Sequence, residues 1–270
     1  MLRELSAKIE DSLKSVRYRI IIVSGKGGVG KSFLTASLAY IIAARGRKVG
    51  ILDADLHGPS IPKIMGLEDA SLNIVGGKIV PVTGVHGVKV ISMHFLLPEP
   101  STPVIWRGPL KARAIAELLA NVVWEKLDYL LIDLPPGTGD EPLSIVQLMG
   151  RLSGAVVVTM PSKLSRLVVS KALAFCRQTG VKVLGIVENM AWFVCPRCGA
   201  VYKLFGEGSG RELAKQFDVD YLGAVPLDPR VSECIDEGRF FIREHPESAT
   251  ARSLEKVAKK IMEKLERSNS

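Results

Sequence analysis

The chain has 270 residues, 47% of them hydrophobic, enough apolar side chains for a substantial core. Its 36 lysines and arginines against 28 acids leave a formal charge of +8, yet the cations are scattered among carboxylates and form no run of five or six. That excludes a polybasic nucleic-acid tail and reads as a solvated basic surface plus an anion-binding pocket. No apolar run approaches the roughly 18 residues of a membrane span, and the first residues carry mixed charges in place of a secretory apolar region. Four unevenly spaced cysteines make no disulfide framework, so a reducing, cytoplasmic setting is expected.

A short helix is expected around residues 4–15. Apolar, β-branched runs then recur at 19–24, 48–53, 88–93, 128–133, 155–160, 183–188 and 221–225, with helical patterns between them. Strands apolar throughout and alternating with helices predict an α/β fold: a three-layer, doubly wound, mostly parallel sheet in a single domain. Residues 72–82, with Gly76-Gly77 between two apolar groups, predict a β-hairpin inserted on an edge, and 193–205 a loop carrying Cys195-Pro196-Arg197-Cys198. Leu254, Val257, Ala258, Ile261, Met262 and Leu265 mark one face of a C-terminal helix over about 248–267. That face is expected to close the core and not to lie on a membrane.

Gly25-Lys26-Gly27-Gly28-Val29-Gly30-Lys31-Ser32, followed by Phe33, joins the first strand to a helix. The pattern is a phosphate cradle: the glycines let backbone N–H groups curl inward, and the helix adds its positive end. Lys31 is placed to reach the β- and γ-phosphates and Ser32 to ligate magnesium. Tyr129-Leu130-Leu131-Ile132-Asp133 is an apolar strand ending in an acid, which places Asp133 near the metal. Asp53 and Asp55 end the second strand, and alternation puts both on one side at the mouth of the site. Asp55 is expected to position water and Asp53 to support the metal; the competing reading is a pair of acids capping the next helix.

Leu134-Pro135-Pro136-Gly137-Thr138-Gly139-Asp140 has the stiff yet close-approaching character of a nucleotide-sensing switch. Asn189 follows the strand 183–188, where its amide can read a base edge. A guanine site would need Lys and Asp where Met190 and Trp192 stand, so adenine, and hence ATP, is favoured. The Cys195/Cys198 knuckle suits structural zinc or an iron-sulfur cluster. Two thiolates cannot complete a four-ligand site, whereas a two-fold dimer supplies four. Cys176 and Cys234 read as buried thiols, and the four histidines show no ligand spacing.

Lys26 resembles the signature lysine of the deviant Walker A ATPases related to MinD, ParA and the nitrogenase iron protein. Within that class, Asp53-Ala54-Asp55-Leu56-His57-Gly58-Pro59-Ser60, Trp106-Arg107-Gly108-Pro109, the 133–140 loop, Glu188-Asn189-Met190 and Cys195-Pro196-Arg197-Cys198-Gly199 together resemble the Mrp/ApbC (Nbp35-like) iron-sulfur cluster carriers. The likeness spans roughly residues 16–246. It implies a homodimer in which Lys26 reaches the nucleotide across the interface, and an adenine pocket lined by Pro226 and Leu227. It also implies a labile cluster, [4Fe-4S] bridging two subunits, with zinc in aerobic preparations. Partners would be cluster donors and recipient apoproteins, with neither nucleic acid nor stable membrane association. Unlike some relatives, the chain has no cysteine before Cys176 and reaches its P-loop at Gly25, so a stand-alone ATPase core is expected. The rivals are a MinD/ParA-like positioning or partitioning ATPase acting on membrane or DNA, with the cysteine pair holding zinc or incidental, and an adaptor that has lost hydrolysis.

Overall fold

The computed structural model describes residues 2–55, 58, 60–96, 108–162, 165–208 and 210–267. The strands in chain order are β1 (Val16–Val23), β2 (Val49–Asp53), β3 (Asn73–Val75), β4 (Lys78–Val80), β5 (Val82–Thr83) and β6 (Lys89–Ser92). They continue with β7 (Leu127–Asp133), β8 (Gly154–Thr159), β9 (Val183–Glu188), β10 (Phe193–Val194), β11 (Val201–Tyr202) and β12 (Tyr221–Ala224). One sheet runs β12-β9-β8-β1-β7-β2-β6-β5, parallel throughout except β5, which pairs antiparallel with β6 at the edge.

Alternation along each buried strand feeds two cores. Ile20 and Ile22 of β1 face one layer with Tyr129 and Leu131 of β7, while Ile21 and Val23 face the other with Leu130 and Ile132. The first layer is closed by α2 (Lys31–Ala44), α3 (Ile61–Ile64), α8 (Arg230–Asp236), α9 (Phe241–Glu244) and α10 (Ala249–Arg267). The second is closed by α1 (Leu2–Leu13), α4 (Gly108–Asn121), α5 (Asp140–Met149), α6 (Ser165–Gln178) and α7 (Gly210–Gln216). This is the three-layer, mostly parallel arrangement expected. In α10, Leu254, Val257, Ala258 and Ile261 are all buried, the leucine, valine and isoleucine each contributing roughly 1.5–3 kcal/mol. That face therefore closes the core. Among the described residues no helix is long and apolar enough to cross a membrane.

The expected hairpin forms but does not join the sheet. β3 and β4 make a separate antiparallel pair, and Pro81 then interrupts the ladder before β5 reaches the edge. A proline has no N–H to give to such a ladder. Strand β1 starts earlier than expected, because Val16 and Tyr18 point inward while Arg17 points to solvent. The carboxyl ends of β1, β2, β7, β9 and β12 lead into the P-loop, Asp55, the 134–139 loop, Asn189 and Pro226 respectively, so the sheet gathers most candidate residues along one edge.

Candidate functional site

The P-loop leaves β1 at Ser24 and enters α2 at Lys31. Gly30 holds φ of 77° at the start of that helix, and no side chain caps the first turn. The open N–H groups and the helix's positive end thus face a cavity of about 450 Å³. Residues Lys26 to Phe33 line it, together with Asp55, Pro136, Asn189, Met190 and Leu227; Gly25 does not, being packed against Val168 of α6. A Cβ on Gly30 would stand 2.3 Å from Asn189 Nδ2, so the loop and the β9 end meet with no room for a side chain. Asn189 Nδ2 donates to the Val29 carbonyl at 2.9 Å. The 134–139 loop is tied in as well: the Gly137 N–H donates to the Ser24 carbonyl at 2.9 Å.

Asp133 is fully buried and gathers two hydroxyl donors and an ion-paired ammonium. The Ser32 hydroxyl donates to Oδ2 at 2.6 Å, Lys31 Nζ lies 2.8 Å from the same oxygen, and Thr35 Oγ1 is 2.7 Å from Oδ1. Thr35 Oγ1 is also 3.0 Å from the Lys31 carbonyl, and its single proton goes to the nearer carboxylate. Although ion-paired, buried Lys31 Nζ makes no hydrogen bond of proper geometry. An orphaned ammonium beside open N–H groups fits a phosphate, and Ser32 with Asp133 fits a hard cation with oxygen ligands such as Mg²⁺. Thr35→Val is expected to cost about 1–3 kcal/mol in denaturant unfolding, because it leaves a buried carboxylate oxygen without its donor.

Asp53 does not share the mouth with Asp55. The β2–β7 register sets it beside Asp133, where it is fully buried. Its Oδ2 accepts the Ser92 hydroxyl at 2.9 Å and the Ile61 N–H at 3.3 Å. The expectation of two acids at the mouth is therefore corrected: Asp55 lines the cavity, and Asp53 lies behind it, where it caps α3. Burial, and then the charge of Asp133, push the Asp53 carboxyl up to about 8. A folded group that holds its proton where the unfolded one has lost it stabilises the fold at low pH. That stabilisation declines as pH rises from about 4 to about 8. In nucleotide-free protein, Asp53→Asn is expected to flatten this decline, read as the thermal midpoint across that range.

The cysteine pair sits on a small antiparallel hairpin of β10 and β11. The Cys195 N–H donates to the Ala200 carbonyl and the Gly199 N–H to the Cys195 carbonyl, both at 2.9 Å, closing a tight knuckle in which Gly199 has φ of 72°. The Cys198 N–H, then the Arg197 N–H and the Cys198 thiol, hold the Cys195 thiol below its usual range. Among the described residues no cluster of three or more His, Cys, Asp or Glu could hold a metal. Val194, Val201, Tyr202, Leu204 and Phe205 around the knuckle are exposed. Cys176 and Cys234 are buried, and burial raises both thiols.

Residues 15–262 match the family model described as ParA, the NUBPL iron-transfer P-loop NTPases. The chain belongs to this family. It is 50% identical over 259 residues to the iron-sulfur cluster carrier protein of Saccharolobus solfataricus, covering 96% of this chain and 88% of the relative. It is 43% identical to the cytosolic Fe-S cluster assembly factor NUBP2 of Gallus gallus, covering 93% and 94% of the two chains. Among solved structures it resembles the nucleotide-binding protein in complex with ADP from Archaeoglobus fulgidus, with a TM-score of 0.77 and 45% identity over 87% of this chain and 92% of that one. MinD of Pyrococcus horikoshii, complexed with Mg-ADP, shares the fold at a TM-score of 0.65 and 24% identity, over 91% of this chain and 96% of that one.

In this NUBPL-type NTPase the distal cavity wall departs from expectation at one residue. Leu227 lines the cavity, but Pro226 is buried behind it, its carbonyl accepting the Thr250 hydroxyl at 3.1 Å. Asp228, Pro229, Val231, Ser232 and Ile235, from α8 and the two residues before it, also line the wall, and no motif had marked them. Thr35 was missed too, although it stands one turn beyond Lys31 on the same helix face, a spacing that places it beside whatever Lys31 meets. Of the resemblance motifs, Leu56, His57, Pro59, Trp106 and Arg107 lie outside the described residues.

Proposed function

We propose that this NTPase binds and hydrolyses ATP with Mg²⁺ and uses that cycle to hold and release an iron-sulfur cluster. The cluster is cargo, bridged between the Cys195–Cys198 pairs of two identical subunits and delivered to cytoplasmic apoproteins. One observation carries the reading: the cavity wall and the knuckle are one continuous piece of chain. Asn189 and Met190 line the cavity; the Ala191 N–H then donates to the Val225 carbonyl at 2.9 Å, and the Leu227 N–H to the Trp192 carbonyl at 2.7 Å. Phe193, the first residue of β10, bridges to Leu227, itself part of the wall. A shift of Asn189 or Leu227 on nucleotide binding therefore moves the base of the thiol hairpin directly.

In this reading the P-loop N–H groups and Lys31 hold the β- and γ-phosphates, after Lys31 swings from Asp133 to the nucleotide. Ser32 and Asp133 hold the magnesium, which when bound neutralises phosphate charge. Asp55 orients a water whose oxygen bonds to the γ-phosphorus as the bond to the bridging oxygen breaks, leaving ADP, phosphate and a proton. Lys26, at the cavity lip, serves the nucleotide of the partner subunit. Asn189 contacts the adenine with the amide valences that Val29 leaves open, and turnover is slow without a recipient. Cluster donors load the protein.

Anaerobic reconstitution with iron and sulfide should give a cluster absorption band that an apo-acceptor removes. A preparation that takes up zinc but no iron and sulfide, or a loaded protein that transfers nothing, would sink the proposal.

A further inference from the structure

The cations that look scattered in sequence converge at one place. A cavity of about 560 Å³ opens at the amino end of the sheet, lined by Arg17, Arg19, Arg151, Lys182 and Lys264 with no acid among the lining residues. It lies at the start of β1, whose eight residues, at roughly 3.3 Å each, place it about 26 Å from the P-loop at the other end. Its floor is apolar, made by Val16, Leu152, Leu184 and Leu265.

Helix carboxyl ends gather on this side of a doubly wound sheet, and cations there can simply offset them. Arg19 does so, at the ends of α5 and α1, whereas Lys264 is taken up by strand β9 and an acid. Arg19 donates to the Met149 and Leu13 carbonyls at 3.0 and 2.7 Å, and Lys264 donates to the Leu184 carbonyl at 3.0 Å and pairs with Asp220. The other three are not consumed in this way. Arg17 stacks over the Tyr18 ring at 5.0 Å, and among the described residues the side chains of Arg151 and Lys182 make no hydrogen bond or ion pair. The surplus is felt locally: Lys264 is held below its usual range by burial and then by Lys182, and Arg19 by burial, with Glu10 opposing and Arg151 adding to the effect. Ser153 also lines the cavity, its oxygen accepting the Arg19 N–H at 3.1 Å and leaving its own proton for a ligand.

We propose that this cavity is a second anion site, separate from the P-loop, that binds an oligophosphate through Arg17, Arg151 and Lys182. The volume suits a small organic ligand. The shape favours a compact anion over a nucleic acid, because the cations ring a hollow instead of tracking a ridge along which a polymer backbone could run. Free oligophosphate and the triphosphate tail of a nucleotide present the same chemistry to it.

The test is calorimetry at about 0.05 M salt, where screening is weak, on the full chain with its P-loop saturated by a non-hydrolysable ATP analogue and Mg²⁺. Tripolyphosphate should then bind saturably at one further site per chain. The variant Arg151→Glu/Lys182→Glu changes exposed side chains that hold no other element. It should weaken that binding about tenfold or more while the analogue still binds the P-loop as before. A parallel titration with the analogue alone separates the sources: a second equivalent lost in the variant means a nucleotide is accepted, and a single equivalent means inorganic oligophosphate is preferred. Absence of saturable tripolyphosphate binding, equal binding by the variant, or binding confined to a DNA duplex would each overturn the proposal.

Discussion

Lys31→Ala is expected to reduce single-turnover ATP hydrolysis by about 10²–10³-fold or more, the loss that follows removal of one preorganised charge from a developing phosphoryl transition state. The same change has a structural effect that must be separated from the catalytic one. Lys31 Nζ lies 2.8 Å from Asp133, which is fully buried and sits in register beside fully buried Asp53. Without the ammonium, the Asp133 carboxylate is left beside the Asp53 carboxyl with no cation paired to it, and breaking a buried pair from one side costs roughly 3–5 kcal/mol. The nucleotide-free variant should therefore lose stability more steeply than the wild type as pH rises through the range in which Asp53 gives up its proton. Adding Asp53→Asn to Lys31→Ala should recover much of that stability, because it removes one of the opposed charges. Hydrolysis should stay lost. Recovery of hydrolysis together with stability would mean that Lys31 acts by holding Asp133 in place and not on the phosphate.

Which parts of this site can be read from the sequence follows from what is local in the chain. The cradle from Gly25 to Ser32 is one loop and one helix turn, so residue types and spacing are enough to shape it, and Asp133 ends a short run of apolar residues that reads as a buried strand by itself. Asp53 is different. Its burial depends on Ser92 arriving in register from β6 and on Asp133 from β7, pairings that no local pattern specifies. Period-two alternation correctly puts Asp53 and Asp55 on the same side of an extended chain, but strand β2 ends at Asp53 and the alternation no longer applies beyond it. Pro226 and Leu227 part company in the same way, one buried and one on the cavity wall. The basic cavity is the extreme case, since residues 17, 151, 182 and 264 meet only because β8 and β9 stack beside β1 in the sheet order. Even the thiol hairpin, visible as a knuckle, gave no hint that its base is laced to the nucleotide cavity through Leu227.

Replacing both Cys195 and Cys198 by alanine is expected to abolish cluster uptake completely and leave ATP binding within about twofold, since neither thiol lines the nucleotide cavity. Each single variant should lose nearly as much, because a dimer then offers two thiolates where a four-iron cluster takes four. Fold damage is a minor concern: Cys198 is exposed, Cys195 half-buried, and the knuckle is closed by backbone hydrogen bonds that alanine keeps. The sharper test concerns bridging itself. If wild-type and double-variant chains are mixed in equal amounts and exchange freely, a cluster that needs both subunits survives only in dimers with two intact pairs, about a quarter of the total. Sites complete within one chain would leave about half. Iron and sulfide per dimer after anaerobic loading therefore distinguish the two, and a value near one half would rule out the bridged cluster even if every single variant behaved as expected.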